Sequence, residues 1–122
     1  IQQLYELYQA DKTNYIEYFE IKDKGLIRKV ECNRIQYISA DSEYVRIHTS
    51  KSFWLYRASL ELLSKQLPPT FIRIHRSHVI NQKFLESWSY LNNGTYEFKL
   101  SNGFQVTSSR SYQEAIQKVL MK

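Results

Sequence analysis

Two arginines and two histidines fall within one eleven-residue stretch, Phe71-Ile72-Arg73-Ile74-His75-Arg76-Ser77-His78-Val79-Ile80-Asn81. A guanidinium can give a bidentate pair of hydrogen bonds to a phosphate or a guanine edge. An imidazole can ligate a metal or move a proton. A serine set between two histidines raises the question of a nucleophile. Phe71, Ile72, Ile74, Val79 and Ile80 can anchor the stretch to a core, which leaves Arg76, Ser77 and His78 as a short polar tip between two fixed ends. A positive tip of that kind suits phosphate or base-edge contact. It also suits an ordinary solvated loop, and this stretch alone leaves both readings open.

Most of the other chemistries lack their remaining parts. His75 and His78 match one end of a zinc pattern, but the only cysteine, Cys32, is far off in sequence and no second ligand pair has the right spacing. Ser77 lies in no recognisable nucleophile turn. The chain has three glycines, all in expected turns, so there is no glycine-rich phosphate loop. Most carboxylates fall in turns or on solvent faces. No catalytic residue, metal site or cofactor is expected, and the chain is not read as an enzyme.

Nucleic-acid binding fits better. Lysine and arginine number 17 against 12 acidic residues, a net charge of +5 with a pI near 9.3, which favours an anionic partner. Arg46, Lys51, Arg57, Arg73, Arg76, Lys83 and Arg110 cluster at expected turns and strand ends. Taken singly, each could be a solvated surface residue. The helical segments carry leucine or Tyr/Ile/Val stripes and little positive charge. Contact with DNA would therefore run through loops and strand ends, not a recognition helix.

The elements that must position these groups are mainly strands. Ten tyrosines and an aromatic content of 15% lean toward half-buried pleated surfaces. Strands are expected over Tyr15 to Lys22 (Tyr15, Phe19 and Ile21 on one side), Leu26 to Val30, Ile35 to Ser39 and Tyr44 to Thr49. In the last, Val45 and Ile47 face the core while Tyr44, Arg46 and His48 face outward. Phe53 to Tyr56 follows as strand. Ser59 reads as the N-cap of a helix through Leu60, Leu63 and Leu67, ended by Pro68-Pro69. After the opening stretch come strands over Phe84 to Leu91 and Thr95 to Leu100, the latter with Tyr96, Phe98 and Leu100 inward. Asn102-Gly103 is a type I′ hairpin signal, and Phe104 to Thr107 returns. Ser111 and Glu114 match a capping box for a last helix striped by Tyr112, Ala115, Ile116, Val119 and Leu120. Arg110 sits just before it, where free backbone N–H groups favour an anion.

Residues 26–120 resemble the LytTR DNA-binding domain, the output domain of many bacterial response regulators. Three segments carry the resemblance: Ile35-Gln36-Tyr37-Ile38-Ser39-Ala40-Asp41-Ser42-Glu43-Tyr44-Val45; the stretch from Phe71 to Asn81; and Leu100-Ser101-Asn102-Gly103 with Val106 and Ser109-Arg110. It implies a mainly β, elongated domain of about nine to ten short strands with two or three short helices. DNA contact would run through loops entering successive grooves. Tyr44 would stand at the first contact loop, Arg76 would read the major groove, and Arg110 would be the third contact. Arg46, Ser77 and Ser109 complete the expected DNA-binding set. His75 and Asn81 would hold the loop in shape. His78 departs from the aromatic or aliphatic residue usual there, and no role is assigned to it.

At 122 residues the chain is long enough for one domain. A single cysteine precludes an intrachain disulfide and fits a reducing compartment. No apolar run approaches the roughly 18 residues of a membrane span. Residues 1–14, where Ile1, Leu4, Tyr5 and Tyr8 share a helical stripe, are expected to be a linker or capping helix from an upstream region. Residues 15–122 are expected to form the DNA-binding domain. The resulting expectation is sequence-specific binding of double-stranded DNA, as the cytoplasmic output domain of a bacterial transcriptional regulator of the two-component type. Repeated half-sites, a homodimer on DNA and an upstream receiver or membrane domain complete it. Two alternatives stay open: a protein-interaction or sensory module that has lost DNA binding, and single-strand or RNA binding by an aromatic β surface.

Overall fold

The computed structural model of the chain describes residues 15–121. The helix expected over residues 1–10 lies outside them. Ten strands run in order: β1 (Tyr18–Asp23), β2 (Leu26–Glu31), β3 (Tyr37–Asp41), β4 (Tyr44–His48), β5 (Phe53–Arg57), β6 (Phe71–His75), β7 (His78–Asn81), β8 (Leu85–Tyr90), β9 (Tyr96–Leu100) and β10 (Gln105–Thr107). Two α-helices, α1 (Leu60–Ser64) and α2 (Gln113–Leu120), and four single 3-10 turns complete the described residues.

All strand pairings are antiparallel and form three sheets. β1 and β2 make a hairpin. β5-β4-β3-β7-β6 make the central five-stranded sheet. β10-β9-β8 make the third sheet. The mainly β expectation holds.

The central sheet has a separate core on each side of β7. Val79 is packed with Phe19, Ile21, Ile38, Val45, Ile47 and the α1 leucines. Ile80, the next residue, is packed with Ile72, Ile74, Tyr96, Phe98, Leu100, Val106 and Ile116. Consecutive strand residues point to opposite faces, so one strand serves both cores. Each fully buried side chain of this size contributes roughly 1.5–3 kcal/mol relative to exposure.

Local chemistry explains most boundaries. Ser59 caps α1 by accepting from the Leu62 amide at 3.5 Å. The helix ends after Ser64, but Leu67 is still buried, so the stripe survives in a turn rather than in a longer helix. Asn102 and Gly103 both take positive φ (73° and 86°), as the hairpin signal required.

Four local expectations fail. Tyr15 is 44% exposed, because β1 begins at Tyr18 and only Phe19 and Ile21 reach the core. The Ser111–Glu114 capping box does not form: Arg110–Tyr112 is a 3-10 turn, and Tyr112 precedes α2 without a side-chain cap. Ala115 and Val119 are exposed, leaving Ile116 as the buried residue of α2. His48 does not face solvent. Its ring is stacked on Tyr37 at 4.0 Å and flanked by Phe104 and Phe53.

Candidate nucleic-acid interface

The expected contact residues stand on or beside three connections that the sheets bring together: Tyr44 and Arg46 in β4 after the β3–β4 turn, Arg76 and Ser77 in the β6–β7 turn, and Ser109 and Arg110 after β10. β3 lies between β4 and β7, with Ser39 opposite Arg46 on one side and His78 on the other. The β3–β4 turn, with Ser42 at φ 60°, therefore sits beside the β6–β7 turn that carries Arg76 and Ser77. The Ala40 amide fastens the two by donating to the Ser77 carbonyl at 2.9 Å. The third loop, after β10, is tied to β6 by the Ser109 amide, which donates to the Ile74 carbonyl at 3.0 Å. Arg76 thus stands between the loop of Tyr44 and the link carrying Arg110.

The tip of the β6–β7 turn is held from within. The Ser77 amide donates to His75 Nδ1 at 3.0 Å, so that nitrogen acts as an acceptor and the imidazole proton sits on Nε2. Arg73 donates from Nε to the His75 carbonyl at 3.2 Å and from Nη2 to the Arg76 carbonyl at 2.7 Å. At the base of β7, buried Asn81 donates to the carbonyls of Ile35 (2.9 Å) and Cys32 (3.5 Å) and accepts from the Lys83 amide at 3.1 Å. His75 and Asn81 thus hold backbone, the part the resemblance implied for them. His78 is half-buried, 5.0 Å from the His75 ring, with its Nδ1 buried and unpaired. Burial, and then the neighbouring His75, lower its pKa and favour the neutral ring.

Among the described residues, the guanidiniums of Arg76 and Arg110 make no ion pair and no hydrogen bond, and both residues are exposed. Tyr44 is 40% exposed. Arg46 donates from Nε to Asp41 at 2.9 Å and lies over the Phe53 ring. Its side chain is 44% exposed. Arg57, the register partner of Tyr44, adds a further cation, loosely bridged to Glu43 at 3.6 Å with both side chains 69% exposed. A pair so exposed contributes little to stability, about 0–1 kcal/mol. The Ser77 hydroxyl makes no hydrogen bond among the described residues, and the Ser109 hydroxyl meets only that of Ser111 at 3.2 Å. Gly94, at φ 81°, lets the stem of Arg110 and the side chain of Gln113 pass close by.

The basic residues expected to act together therefore divide. Lys51 lies at the β4–β5 turn, at the far end of β4 from Tyr44, near where Asn102 donates to the Ser50 carbonyl. Lys83 is also away from the three loops, donating to the Asn33 carbonyl at 3.2 Å. Arg73 is turned inward onto backbone. Sequence reasoning missed that use of Arg73. Its place three residues before Arg76, across a β-bulge, carried no periodic signal. No group of three or more potential metal ligands occurs among the described residues. No helix there is long and apolar enough to cross a membrane.

The domain is antiparallel β throughout its described strands, and Arg76 and Arg110 stand exposed on neighbouring connections. The sequence profile of the LytTr DNA-binding domain matches residues 25–121, and the chain belongs to that family. A solved LytTr DNA-binding domain from Bacillus cereus superposes with a TM-score of 0.79, covering 86% of this chain and 97% of that one at 23% identity, which bears out the fold. The "Transcriptional regulatory protein LytR" of Staphylococcus aureus is 34% identical over 96 residues, 78% of this chain and 38% of the relative. The "Sensory transduction protein LytT" of Bacillus subtilis is 28% identical over 92 residues, 75% of this chain and 38% of the relative. The chain thus spans well under half the length of these curated relatives.

Proposed function

We propose that this chain binds double-stranded DNA sequence-specifically through these three connections, as the output domain of a bacterial transcriptional regulator. Arg76 reads base edges from the middle loop. Tyr44 and Arg110 contact DNA on either side. Arg46, Ser77 and Ser109 supply further polar contacts. The observation that carries the reading is the pair of exposed guanidiniums, Arg76 and Arg110, unpaired among the described residues and carried on connections bonded to one another through β6. A turn held by its own hydrogen bonds presents its arginine at little further cost in backbone order, and a guanidinium offers bidentate donors.

In this reading residues 15–122 are the DNA-binding domain and residues 1–14 the linker to an upstream receiver or membrane domain, in a two-component system working at the cytoplasmic side. Repeated half-sites would then hold two copies. In this reading the chain is a binding module, and the serine of the signature turn serves it through its backbone: the Ser77 amide, not its hydroxyl, engages His75 Nδ1. Selection from random duplexes tests the whole. An enriched motif, bound with an affinity that falls steeply with salt, is the expected result. No enriched motif, together with capture of a partner protein, would instead support an interaction module.

A further inference from the structure

Arg73 is the one arginine of the signature stretch whose guanidinium is spent on backbone. It donates to the carbonyls of His75 and Arg76 at 3.2 and 2.7 Å, the two residues that enter the β6–β7 turn. Its Cζ also lies 5.8 Å from the ring centroid of Tyr112, two residues after Arg110. One side chain therefore spans from the turn that presents Arg76 to the link that presents Arg110. The register of β6 and β7 slips between Arg73 and His75 at this point, so ladder bonds alone do not fix the turn. A planar fork of N–H donors is the group that can hold two carbonyls at once while lying against an aromatic face. No carboxylate pairs with Arg73 among the described residues, so the two carbonyls and the ring are what its side chain meets.

We infer that Arg73 is a positioning residue for DNA specificity: its guanidinium clamps the Arg76 turn and locks it to the Arg110 link, without itself reading DNA. The inference rests on the DNA-binding reading above. It differs from the simple expectation that every arginine of this stretch is a surface cation for phosphate.

The test compares Arg73→Ala and Arg73→Lys with the unchanged chain, on the motif recovered by duplex selection and on an unrelated duplex, across a salt series. Lysine keeps the charge and the aliphatic stem but lacks the fork. The clamp predicts that both variants lose affinity for the motif by on the order of tenfold, hold the unrelated duplex as before, and keep the salt slope. In an Arg76→Ala background the further loss from Arg73→Ala should shrink several-fold, because the residue it positions is gone. The amide resonances of Arg76 and Ser77 should shift in both variants without DNA. If Arg73→Ala lowers the melting temperature appreciably, the lysine variant carries the comparison. Wild-type affinity in Arg73→Lys would overturn the clamp. So would a salt slope reduced by about one phosphate contact together with additivity with Arg76→Ala. If the unchanged chain binds no duplex, the DNA reading fails, and the amide resonances alone decide the clamp: shifted supports it, unshifted overturns it.

Discussion

The backbone amide of Ser109 donates to the carbonyl of Ile74 at 3.0 Å, which ties the link bearing Arg110 to the strand that leads into Arg76. Ile74 is fully buried, so its carbonyl has little alternative partner in water. The two candidate contact loops are therefore one mechanical unit rather than two neighbouring appendages. Proline at position 109 removes the amide and the hydroxyl, sets its ring Cδ against the Ile74 carbonyl, and draws φ from −102° toward about −65°. Ser109→Pro is expected to cost about 1–3 kcal/mol of stability through the unpaired carbonyl. It should also weaken binding to a specific duplex, while Ser109→Ala, which keeps the amide, stays close to the unchanged chain in melting temperature. Thermal melts of the two variants check this directly.

Asn81 occupies the same kind of position at the other end of β7. Its side chain, 1% exposed, bonds three backbone groups from the segments around Cys32, Ile35 and Lys83. Asn81→Ala takes the side-chain partner from the Ile35 carbonyl and the Lys83 amide, while the Cys32 carbonyl keeps the Ile35 amide at 3.1 Å, and it opens a small cavity. A loss of roughly 2–4 kcal/mol in chemical denaturation is expected, at the large end for a single substitution. An effect under about 0.5 kcal/mol would mean that water or neighbours replace the bonds easily.

His48 makes stability depend on acid. Burial first, then the charge of Arg46 and the neighbouring His78, push its pKa from 6.5 down to about 4. The unfolded chain therefore takes up this proton before the folded chain does. The stabilising contribution is complete above pH 6.5 and is lost as pH falls toward 4, amounting to about 3 kcal/mol at the bottom of that window. His78, also lowered, adds in the same direction. Replacing His48 by Phe keeps a ring between Tyr37 and Phe104 and should flatten the decline, measured as the denaturation midpoint against pH.

Much of this was legible beforehand, for identifiable reasons. Tyr96, Phe98 and Leu100 alternate at the strand period and all three are buried. Asn102 and Gly103 take the positive φ their types favour. Arg76 and Arg110 could be picked as exposed candidates because each stands at an element boundary without an apolar reason to be there. His48 could not be read correctly. Period two placed it on the face of Tyr44 and Arg46, but the cover over that face, Phe104, arrives from a hairpin more than fifty residues later. The capping box at Ser111 failed for a related reason. The Ser109–Ile74 bond sets how the chain enters α2, and a 3-10 turn intervenes. Arg73 and Arg76 look alike in sequence, but Arg73 bonds the His75 and Arg76 carbonyls next to a register shift between β6 and β7, while Arg76 stands exposed in the turn.

The most direct measurement is the affinity of Arg76→Ala for its selected duplex and for variants with each base pair changed in turn. The account predicts a loss of about 1–3 kcal/mol on the selected site, with base preference relaxed at one or two positions and little change on unrelated DNA. An equal loss on every sequence would make Arg76 a phosphate contact. No loss at all would contradict the assignment of the reading role to this turn.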